Sequence, residues 1–258
     1  MTDFITLSFN NNIAEIRLNR PDKKNALNVS MWEAIPSLVA TANQSEACKS
    51  IILHGGDLFA SGADISEFQS LYADDEGAVR GSQAIHNALK ALEESRKPVI
   101  AAIEGVCIGG GVSLAMACDI RIAGRGTTFG VTPARIGLVY PLGDTRRLVA
   151  AIGPSAAKLL LYTGRLVDDT HALSIALIDQ LVDAGSALIE ARALCAEMGT
   201  RSQWSIHATK EMLAGLEAGW RDDGDNAKRL FLESFRNADF AEGHRAFLEK
   251  RQANFPIK

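Results

Sequence analysis

The sequence predicts an α/β protein with a helical C-terminal subdomain. Segments with the apolar pattern of buried strands alternate with segments of helical periodicity through the first two thirds of the 258 residues. From residue 186 to residue 254 one helical pattern follows another. This order is typical of α/β crossovers that build one core, followed by helices that cap it. We therefore expect a core over residues 1–199 and a helical subdomain over residues 200–258, both parts of one functional unit.

The stretch over residues 98–120 carries almost no charge and divides into a strand, a turn and a helix. Residues 99–103 are rich in β-branched side chains, which favour a buried strand. Three consecutive glycines at 109–111 lead into an apolar helix that we expect over residues 112–117. The first amides of a helix lack partners within the helix, so this turn can hold an oxygen that becomes negative during a reaction. Close packing of the backbone explains the glycines equally well.

The other elements follow from turn residues and periodicity. A hairpin is expected at the start of the chain, and alternation over residues 13–19 predicts a strand that is only half buried. Ser30 is expected to cap the next helix, with Glu33 completing a capping box. Further strands are expected at residues 51–54, 119–123, 128–130 and 180–182, and further helices at 75–95, from 144, at 154–162 and after 168–170.

Composition and charge limit the classes of function. A net charge of −4 argues against general nucleic-acid binding, which needs a basic face. The four cysteines are scattered, and Cys107 and Cys118 stand in apolar surroundings, so we expect buried, reduced thiols. The N-terminal residues enter a strand pattern at once, and Glu104 with four glycines interrupts the long apolar stretch. We therefore expect a cytoplasmic protein without a membrane span.

Five sequence motifs, in order along nearly the whole chain, match those of one known family. They are Asn19-Arg20-Pro21 with Lys24-Asn25-Ala26-Leu27, Phe59-Ala60-Ser61-Gly62-Ala63-Asp64-Ile65, Lys97-Pro98-Val99-Ile100-Ala101-Ala102 with Gly109-Gly110-Gly111, Ala117-Cys118-Asp119-Ile120-Arg121 with Phe129-Gly130, and Ala246-Phe247-Leu248-Glu249-Lys250-Arg251. On these motifs the chain resembles the enoyl-CoA hydratase/isomerase, or crotonase, superfamily. Each motif is weak by itself, and the signal lies in their number and order.

The resemblance implies a fold, a substrate class and an assembly. The fold would be a crotonase-like spiral of ββα turns, assembled as trimers or as dimers of trimers. The substrate would be an acyl-CoA thioester, so that coenzyme A enters as part of the substrate, with no metal or redox cofactor. The backbone amides of Ala63 and Gly110 would form an oxyanion hole, which agrees with the free amides expected at the start of the helix. Neither nucleic acid nor a membrane is implied as a partner.

The resemblance also implies which residues contact the bound thioester. Near the adenine and phosphates these would be Lys24, Ala26 and Leu27, with Phe247 and Lys250 from the C-terminal helix. The other contacts would be Ser61, Asp64, Ile65 and Pro133. A lysine beside phosphates has a clear electrostatic reason, although Lys250 is equally well explained as one more surface cation. Phe231 and Phe235, four residues apart, are more typical of core packing than of ligand contact.

The chain departs from the family pattern at the positions that carry acid–base chemistry. The two glutamates of typical hydratases correspond to Ser113 and Pro133, and an aspartate of some hydrolases and dehalogenases corresponds to Pro141. Neither serine nor proline can act as a carboxylate base. Ordinary enoyl-CoA hydratase activity is therefore expected to be poor.

Several side chains are candidates to replace the missing carboxylates. Asp144 stands where a glycine is usual near the acyl pocket, but its surroundings also suit a helix N-cap, and we favour the N-cap. Ser113 can position a water or a substrate hydroxyl, while Tyr140 can donate a proton or simply pack. Glu104 is expected to face an interface salt bridge, and His86 is expected to be structural.

Two hypotheses of function remain open from the sequence. In the first, the protein is an enzyme that acts on an acyl-CoA through an enolate-like intermediate, and its catalytic candidates are Ala63, Gly110, Ser113 and Asp144. In the second, it is an acyl-CoA-binding member of the family whose catalysis is weak or lost. Turnover of enoyl-CoA substrates separates the two.

Overall fold

The computed structural model describes residues 3–71, 73–222 and 224–256 of the chain. Within these ranges the strands are β1 (Ile5–Asn10), β2 (Ile13–Leu18), β3 (Ser50–His54), β4 (Val99–Ile103), β5 (Val106–Ile108), β6 (Ile120–Gly124), β7 (Thr128–Gly130), β8 (Leu166–Val167) and β9 (Gln180–Val182). The helices are α1 (Val29–Gln44), α2 (Phe68–Leu71), α3 (Asp75–Glu93), α4 (Gly110–Met116), α5 (Leu142–Thr163), α6 (Asp169–Ser174), α7 (Ala187–Gly199), α8 (Gln203–Glu217), α9 (Asp225–Ser234) and α10 (Ala238–Leu248). Short 3-10 turns cover Pro21–Lys23, Ile65–Glu67 and Pro133–Ile136.

The strands form two sheets. The larger sheet has the order β1-β2-β3-β4-β6-β9, and the smaller has the order β5-β7-β8. β1 and β2 pair antiparallel as the expected hairpin, whereas the other neighbours in the larger sheet are parallel. The chain alternates between the sheets, because β4 is followed by β5 and α4, and β6 is followed by β7 and α5. The α/β class and the repeated ββα turn are therefore confirmed.

Strand β4 lies within the larger sheet and is buried on both faces. Its Ile100 stands in register with Ile52 on β3 and with Ile120 on β6. One set of alternating side chains joins the main core with α1, α3, α4 and α5, and the other set packs with α7 in a second cluster. Burial on both faces explains why β4 reads as an uninterrupted apolar run.

Two expectations for the N-terminal elements are wrong. Strand β2 is not half exposed, because Glu15 is only 6% exposed and accepts two hydrogen bonds from the Arg192 guanidinium on α7, each 2.7 Å long. The ion pair allows a carboxylate to lie between the sheet and the helix. Helix α1 is capped by Asn28, whose side chain accepts a hydrogen bond from Met31 N at 3.0 Å, and not by Ser30, which lies inside the helix.

Three later expectations are also corrected. Helix α4 begins at Gly110, two residues earlier than the apolar run suggested. The carboxylate of Glu104 accepts a hydrogen bond from Ala187 N at 2.9 Å, so it binds the first turn of α7 and does not face outward. Phe231 and Phe235 are 60% and 52% exposed, so they touch each other at the surface and do not pack in the core.

The four cysteines are free and buried, as expected. Burial raises the pKa of the Cys118 and Cys195 thiols to about 12. These thiols are therefore protonated and unreactive at neutral pH.

The boundary expected at residues 199 and 200 falls where α7 ends and before α8 begins. The division into two subdomains stays a prediction. In the part of the chain that the structure describes, every helix is too short or too polar to cross a membrane.

Candidate active site

Two loops that are distant in the chain meet beside the start of α4. The first, at residues 61–64, forms an isolated parallel bridge with Leu27. Leu27 N donates to the Gly62 carbonyl at 2.8 Å, and Asp64 N donates to the Leu27 carbonyl at 2.9 Å. In a parallel bridge the residue between these two bonds turns its own N–H to the other side. The Ala63 amide therefore points away from Leu27.

The backbone of this loop touches the glycines that open α4. Gly62 has a φ of +111°, and a Cβ there would lie 3.1 Å from the Ile108 carbonyl oxygen and 3.8 Å from Gly110 N. A Cβ on Gly110 would lie 3.5 Å from Ala63 N. Gly109 has a φ of +53° and turns the chain into the helix. The glycines thus permit the close approach of the two loops.

The amides of Ala63 and Gly110 are both free. Within residues 3–71, 73–222 and 224–256, neither N–H donates a hydrogen bond to another protein atom. Both residues line the same cavity. Two donors therefore converge on one place, where a single oxygen with negative charge can accept from both.

The cavity that contains these amides has a volume of about 180 Å³. Its walls come from α1, α2, α3, the turn at Ile65–Glu67 and the loop over residues 132–141. The larger apolar side chains of the walls are Trp32, Ile65, Phe68, Ile85, Ile136, Leu138 and Val139. Hydrogen bonds to a developing charge are stronger beside apolar side chains than in bulk water.

A polar cluster of Ser113, Tyr140 and Asp144 interrupts the apolar wall. Ser113 lies on α4, and its hydroxyl donates to Asp144 Oδ2 at 2.7 Å. Tyr140 OH lies 2.8 Å from the same Ser113 Oγ. Each of the three residues is at most 7% exposed, and each lines the cavity. The structure thus brings together two of the catalytic candidates with the tyrosine that was an alternative.

Asp144 is not the N-cap of its helix, and that interpretation is wrong. Helix α5 begins at Leu142, with Pro141 in the N-cap position, so Asp144 lies in the first turn. Its carboxylate accepts the hydrogen bond from Ser113 and a second one, 3.3 Å long, from Arg147 Nη1. Because the helix starts three residues earlier than an N-cap at Asp144 would require, the carboxylate is available to the cavity.

An ion-pair chain connects Asp144 to the protein surface. Arg147, which binds Asp144, donates from Nη2 to Glu93 Oε2 at 2.6 Å. Arg146 Nη2 donates to the other oxygen of Glu93, also at 2.6 Å, and Arg146 pairs in addition with Glu217 on α8. Glu93 therefore holds two arginines of the first turns of α5 against the end of α3.

Burial is the largest influence on the pKa of Asp144 and raises it above its ordinary value. The hydrogen bond from Ser113 and the charge of Arg147 act in the opposite direction. Burial also raises the pKa of Tyr140, and the neighbouring Asp144 charge adds to this, so the phenol is a neutral donor. A carboxyl with a raised pKa beside neutral hydroxyls can take up and return a proton.

The second glutamate position of typical hydratases is filled by a residue without a carboxyl. Pro133 is the first residue of the 3-10 turn Pro133–Ile136 and lines the cavity. Among the residues that the structure describes, Asp144 is the one carboxylate on the cavity wall. The site therefore offers one carboxyl where a two-glutamate hydratase has two.

Some of the residues expected to contact the thioester line the cavity, and another anchors the loop that forms part of its wall. Ser61, Ile65 and Pro133 line the cavity. The carboxylate of Asp64 is instead bound to the Arg20 guanidinium at 2.6 Å, and both side chains are largely buried. Asp64 thus anchors the loop that presents the Ala63 amide, and it does so without facing the cavity.

Three residues expected near the nucleotide lie beside this loop. Lys24 is exposed, and its carbonyl accepts a hydrogen bond from Ser61 N at 3.1 Å. Ala26 is half-buried. The side chain of Leu27 is buried in the main core, so it supports the bridge and is not available to a ligand.

The two C-terminal residues expected near the nucleotide lie at the end of α10. Phe247 is 81% exposed, and Lys250 follows the helix with a φ of +53°. In the described part of the chain neither residue lines the cavity. Their contact with coenzyme A stays a prediction.

Sequence reasoning missed Trp32, and it missed the contacts that join Asp144 to Ser113 and, through Arg147, to Glu93. Trp32, on α1, would lie 3.0 Å from a Cβ placed on Gly110, so its ring closes the cavity beside that amide. The hydrogen bond from Ser113 to Asp144 spans 31 positions, and the ion pair between Glu93 and Arg147 spans 54. No local pattern links residues at such separations, and the one signal was an aspartate in place of a usual glycine.

The spiral of ββα turns places two free amides at an apolar cavity. A protein of this class can bind the carbonyl oxygen of an activated acyl group there. The chain belongs to the enoyl-CoA hydratase/isomerase family, whose sequence profile matches residues 8–258. Family membership is thus shown by the sequence profile and agrees with the fold.

Individual relatives agree with this assignment. The chain is 35% identical over 263 residues to the crotonyl-CoA hydratase of Syntrophomonas wolfei, with 98% of each chain covered. It is 34% identical to the mitochondrial enoyl-CoA hydratase of Pongo abelii over 95% of this chain and 84% of that protein. A solved structure of an enoyl-CoA hydratase/isomerase family protein from Hyphomonas neptunium is 54% identical, with a TM-score of 0.97 over 99% of this chain and 98% of that one.

Proposed function

We propose that the protein is an enzyme that binds an acyl-CoA thioester and polarises its carbonyl, so that an enolate forms at the α-carbon. The observation that carries this proposal is the convergence of the free Ala63 and Gly110 amides in one apolar cavity. When the α-carbon loses a proton, negative charge moves to the thioester oxygen. Two fixed donors stabilise that charge by roughly 3 kcal/mol each. Coenzyme A takes part only as a portion of the substrate.

The nucleotide end of coenzyme A is assigned to the rim beside the Ala63 loop. Lys24 supports this, because it is exposed and its carbonyl holds Ser61, which lines the cavity. Its ammonium group can pair with a phosphate. Phe247 and Lys250 would contribute further contacts at this end.

Binding of a chromophoric thioester, 4-(dimethylamino)cinnamoyl-CoA, tests the polarising site. We expect its absorption to shift to longer wavelength on binding, because donors at the carbonyl oxygen draw electron density through the conjugated chain. The same acyl group on N-acetylcysteamine, which lacks the nucleotide, is expected to bind more weakly with a similar shift. Binding without a shift, or no binding, would contradict the proposed function.

Exchange of the α-hydrogens of butyryl-CoA for deuterium in D₂O, followed by mass spectrometry, tests enolate formation. The second candidate function, acyl-CoA binding with weak or no catalysis, is favoured by the loss of carboxyls at Ser113 and Pro133. A red shift without α-hydrogen exchange and without turnover of any enoyl-CoA would establish that second function.

Exposed aromatic side chains on α9, at the residue after it and on α10 support association with other copies of this chain, for which we propose a homotrimer or hexamer. Phe231, Phe235, Phe240 and Phe247 are between 46% and 81% exposed. A group of exposed apolar side chains of this kind is typical of a surface that other protein covers. Light scattering is expected to give three or six times the chain mass of 27.7 kDa, and a monomer in solution would contradict this. The cytoplasmic location stays a prediction.

A further inference from the structure

We propose that Asp144 is the acid–base catalyst of this site and that Glu93, acting through Arg147, is the positioning residue that sets its charge. The inference rests on the proposed function, since it requires a thioester held by the amides of Ala63 and Gly110. It assigns the acid–base carboxyl to helix α5, whereas the positions of the glutamates in typical hydratases hold no carboxyl here.

The position of Asp144 relative to the two amides supports its role as the acid–base catalyst. Ser113 lies three residues after Gly110 on α4, which places it about 5 Å further along the helix axis. The Ser113 hydrogen bond fixes the Asp144 carboxylate on this side of the cavity. A thioester whose oxygen accepts from Gly110 N can therefore direct its α- and β-carbons toward Asp144.

The proton transfer needs no co-reactant. The Asp144 carboxylate takes a proton from the α-carbon, so a C–H bond breaks and an O–H bond forms. The electron pair of the broken bond moves into the enolate, whose oxygen is held by the two amides. Return of the proton to the α-carbon restores the thioester, and return to the γ-carbon of an unsaturated chain shifts the double bond. Neither outcome requires a water activated by a second carboxylate.

The contacts of Arg147 support the positioning role of Glu93. Its side chain is 8% exposed, and its guanidinium donates to Glu93 Oε2 at 2.6 Å and 3.1 Å, but reaches Asp144 only at 3.3 Å. Because Arg147 is largely neutralised by Glu93, Asp144 feels only part of a positive charge. Arg146 binds the other Glu93 oxygen and so fixes this carboxylate in place.

The groups that face Asp144 come from three elements and the loop before α5. They are Arg147 on its own helix, Glu93 and His86 on α3, Ser113 on α4 and Tyr140 in the loop. Burial, the largest influence, raises the pKa of Asp144, and the Glu93 charge adds to this. The Ser113 hydrogen bond lowers that pKa, and so do the charges of Arg147 and His86.

The rate of α-hydrogen exchange, measured against pH with butyryl-CoA, tests both parts. Asp144→Asn is expected to slow exchange at least about 100-fold while the red shift of the chromophoric thioester remains. Glu93→Gln is expected to move the acid limb of the pH profile to lower pH, because a charge that raises the Asp144 pKa is removed. Ser113→Ala is expected to move the same limb to higher pH, because the carboxylate loses a hydrogen bond.

The neighbouring Glu94 provides the matched control. Glu94→Gln removes a charge at the next position, where Glu94 pairs with the exposed Lys90 at 3.8 Å, and the pH profile is expected to stay that of the parent protein. Full exchange in Asp144→Asn overturns the catalytic role. A pH profile that Glu93→Gln leaves unchanged, or moves in the same direction as Ser113→Ala, overturns the positioning role.

The same measurements distinguish failure of this inference from failure of the proposed function. If the parent protein gives no red shift, the polarising site itself is refuted. If it gives the shift but exchanges no α-hydrogen, the site binds thioesters and Asp144 is not a catalyst.

Discussion

Hydration of crotonyl-CoA is expected to be at least about 100-fold slower with this protein than with a family member that carries both glutamates. Addition of water requires one group that takes a proton from the water and one that delivers a proton to the α-carbon. Here Ser113 and Pro133 occupy the two glutamate positions, and Asp144 is the one carboxylate on the described cavity wall. The loss of enoyl-thioester absorbance, measured side by side at equal site concentration, gives the comparison.

A gain-of-function variant sharpens this prediction. Pro133→Glu places a carboxyl at the second position, and the first residue of a 3-10 turn tolerates an acidic side chain. We expect this variant to hydrate crotonyl-CoA faster than the parent, and Pro133→Gln, its uncharged control, to show no gain. Hydration by the parent at the rate of the two-glutamate relative would show that a second carboxylate is not needed.

Gly110→Ala is expected to lower the rate of α-hydrogen exchange by about 100-fold or more and to reduce the red shift of the bound chromophore. The new methyl group would lie 3.5 Å from Ala63 N, and so in the space where the thioester oxygen accepts from both amides. It would also lie 3.0 Å from Trp32 Cζ2, so the indole must move by a few tenths of an ångström. Exchange kinetics and the absorption spectrum measure the two effects.

Stability measurements separate this effect from unfolding. Gly110 has no positive φ, so alanine fits its backbone, and we expect only a small change in the free energy of unfolding. Gly243→Ala is the matched control, because among the described residues its methyl group would meet only the side chain of Phe255, at 3.3 Å. A Gly110→Ala protein with the parent's red shift and exchange rate would show that the oxygen binds elsewhere.

The fold was largely predictable because its determinants are local. The run over β4 and the glycines after it indicate a buried strand, a turn and a helix without knowledge of the rest of the chain. The burial of Glu15 was not predictable, because it depends on Arg192, which lies 177 positions away. A polar residue in an alternating strand indicates a solvent-exposed face only when no distant side chain pairs with that residue.

The candidate site was also predictable only in part. The amides of Ala63 and Gly110 lie within short motifs, and the structure places both on one cavity. The sequence around Asp144 fits two interpretations, an N-cap and a site residue. The position at which the helix begins decides between them. That start, and the hydrogen bond from Ser113, depend on tertiary packing that no local pattern contains.

The parts of the cavity wall differ in how firmly they are built into the protein. Ser113 and Asp144 are almost fully buried, whereas Ile65, Ile136 and Val139 are more than half exposed at loops and short turns. Substitution of these three exposed residues alters the shape of the cavity around the acyl chain and leaves Ser113 and Asp144 unchanged. Acyl selectivity can therefore diverge in this scaffold through a few peripheral substitutions while the reaction itself is retained.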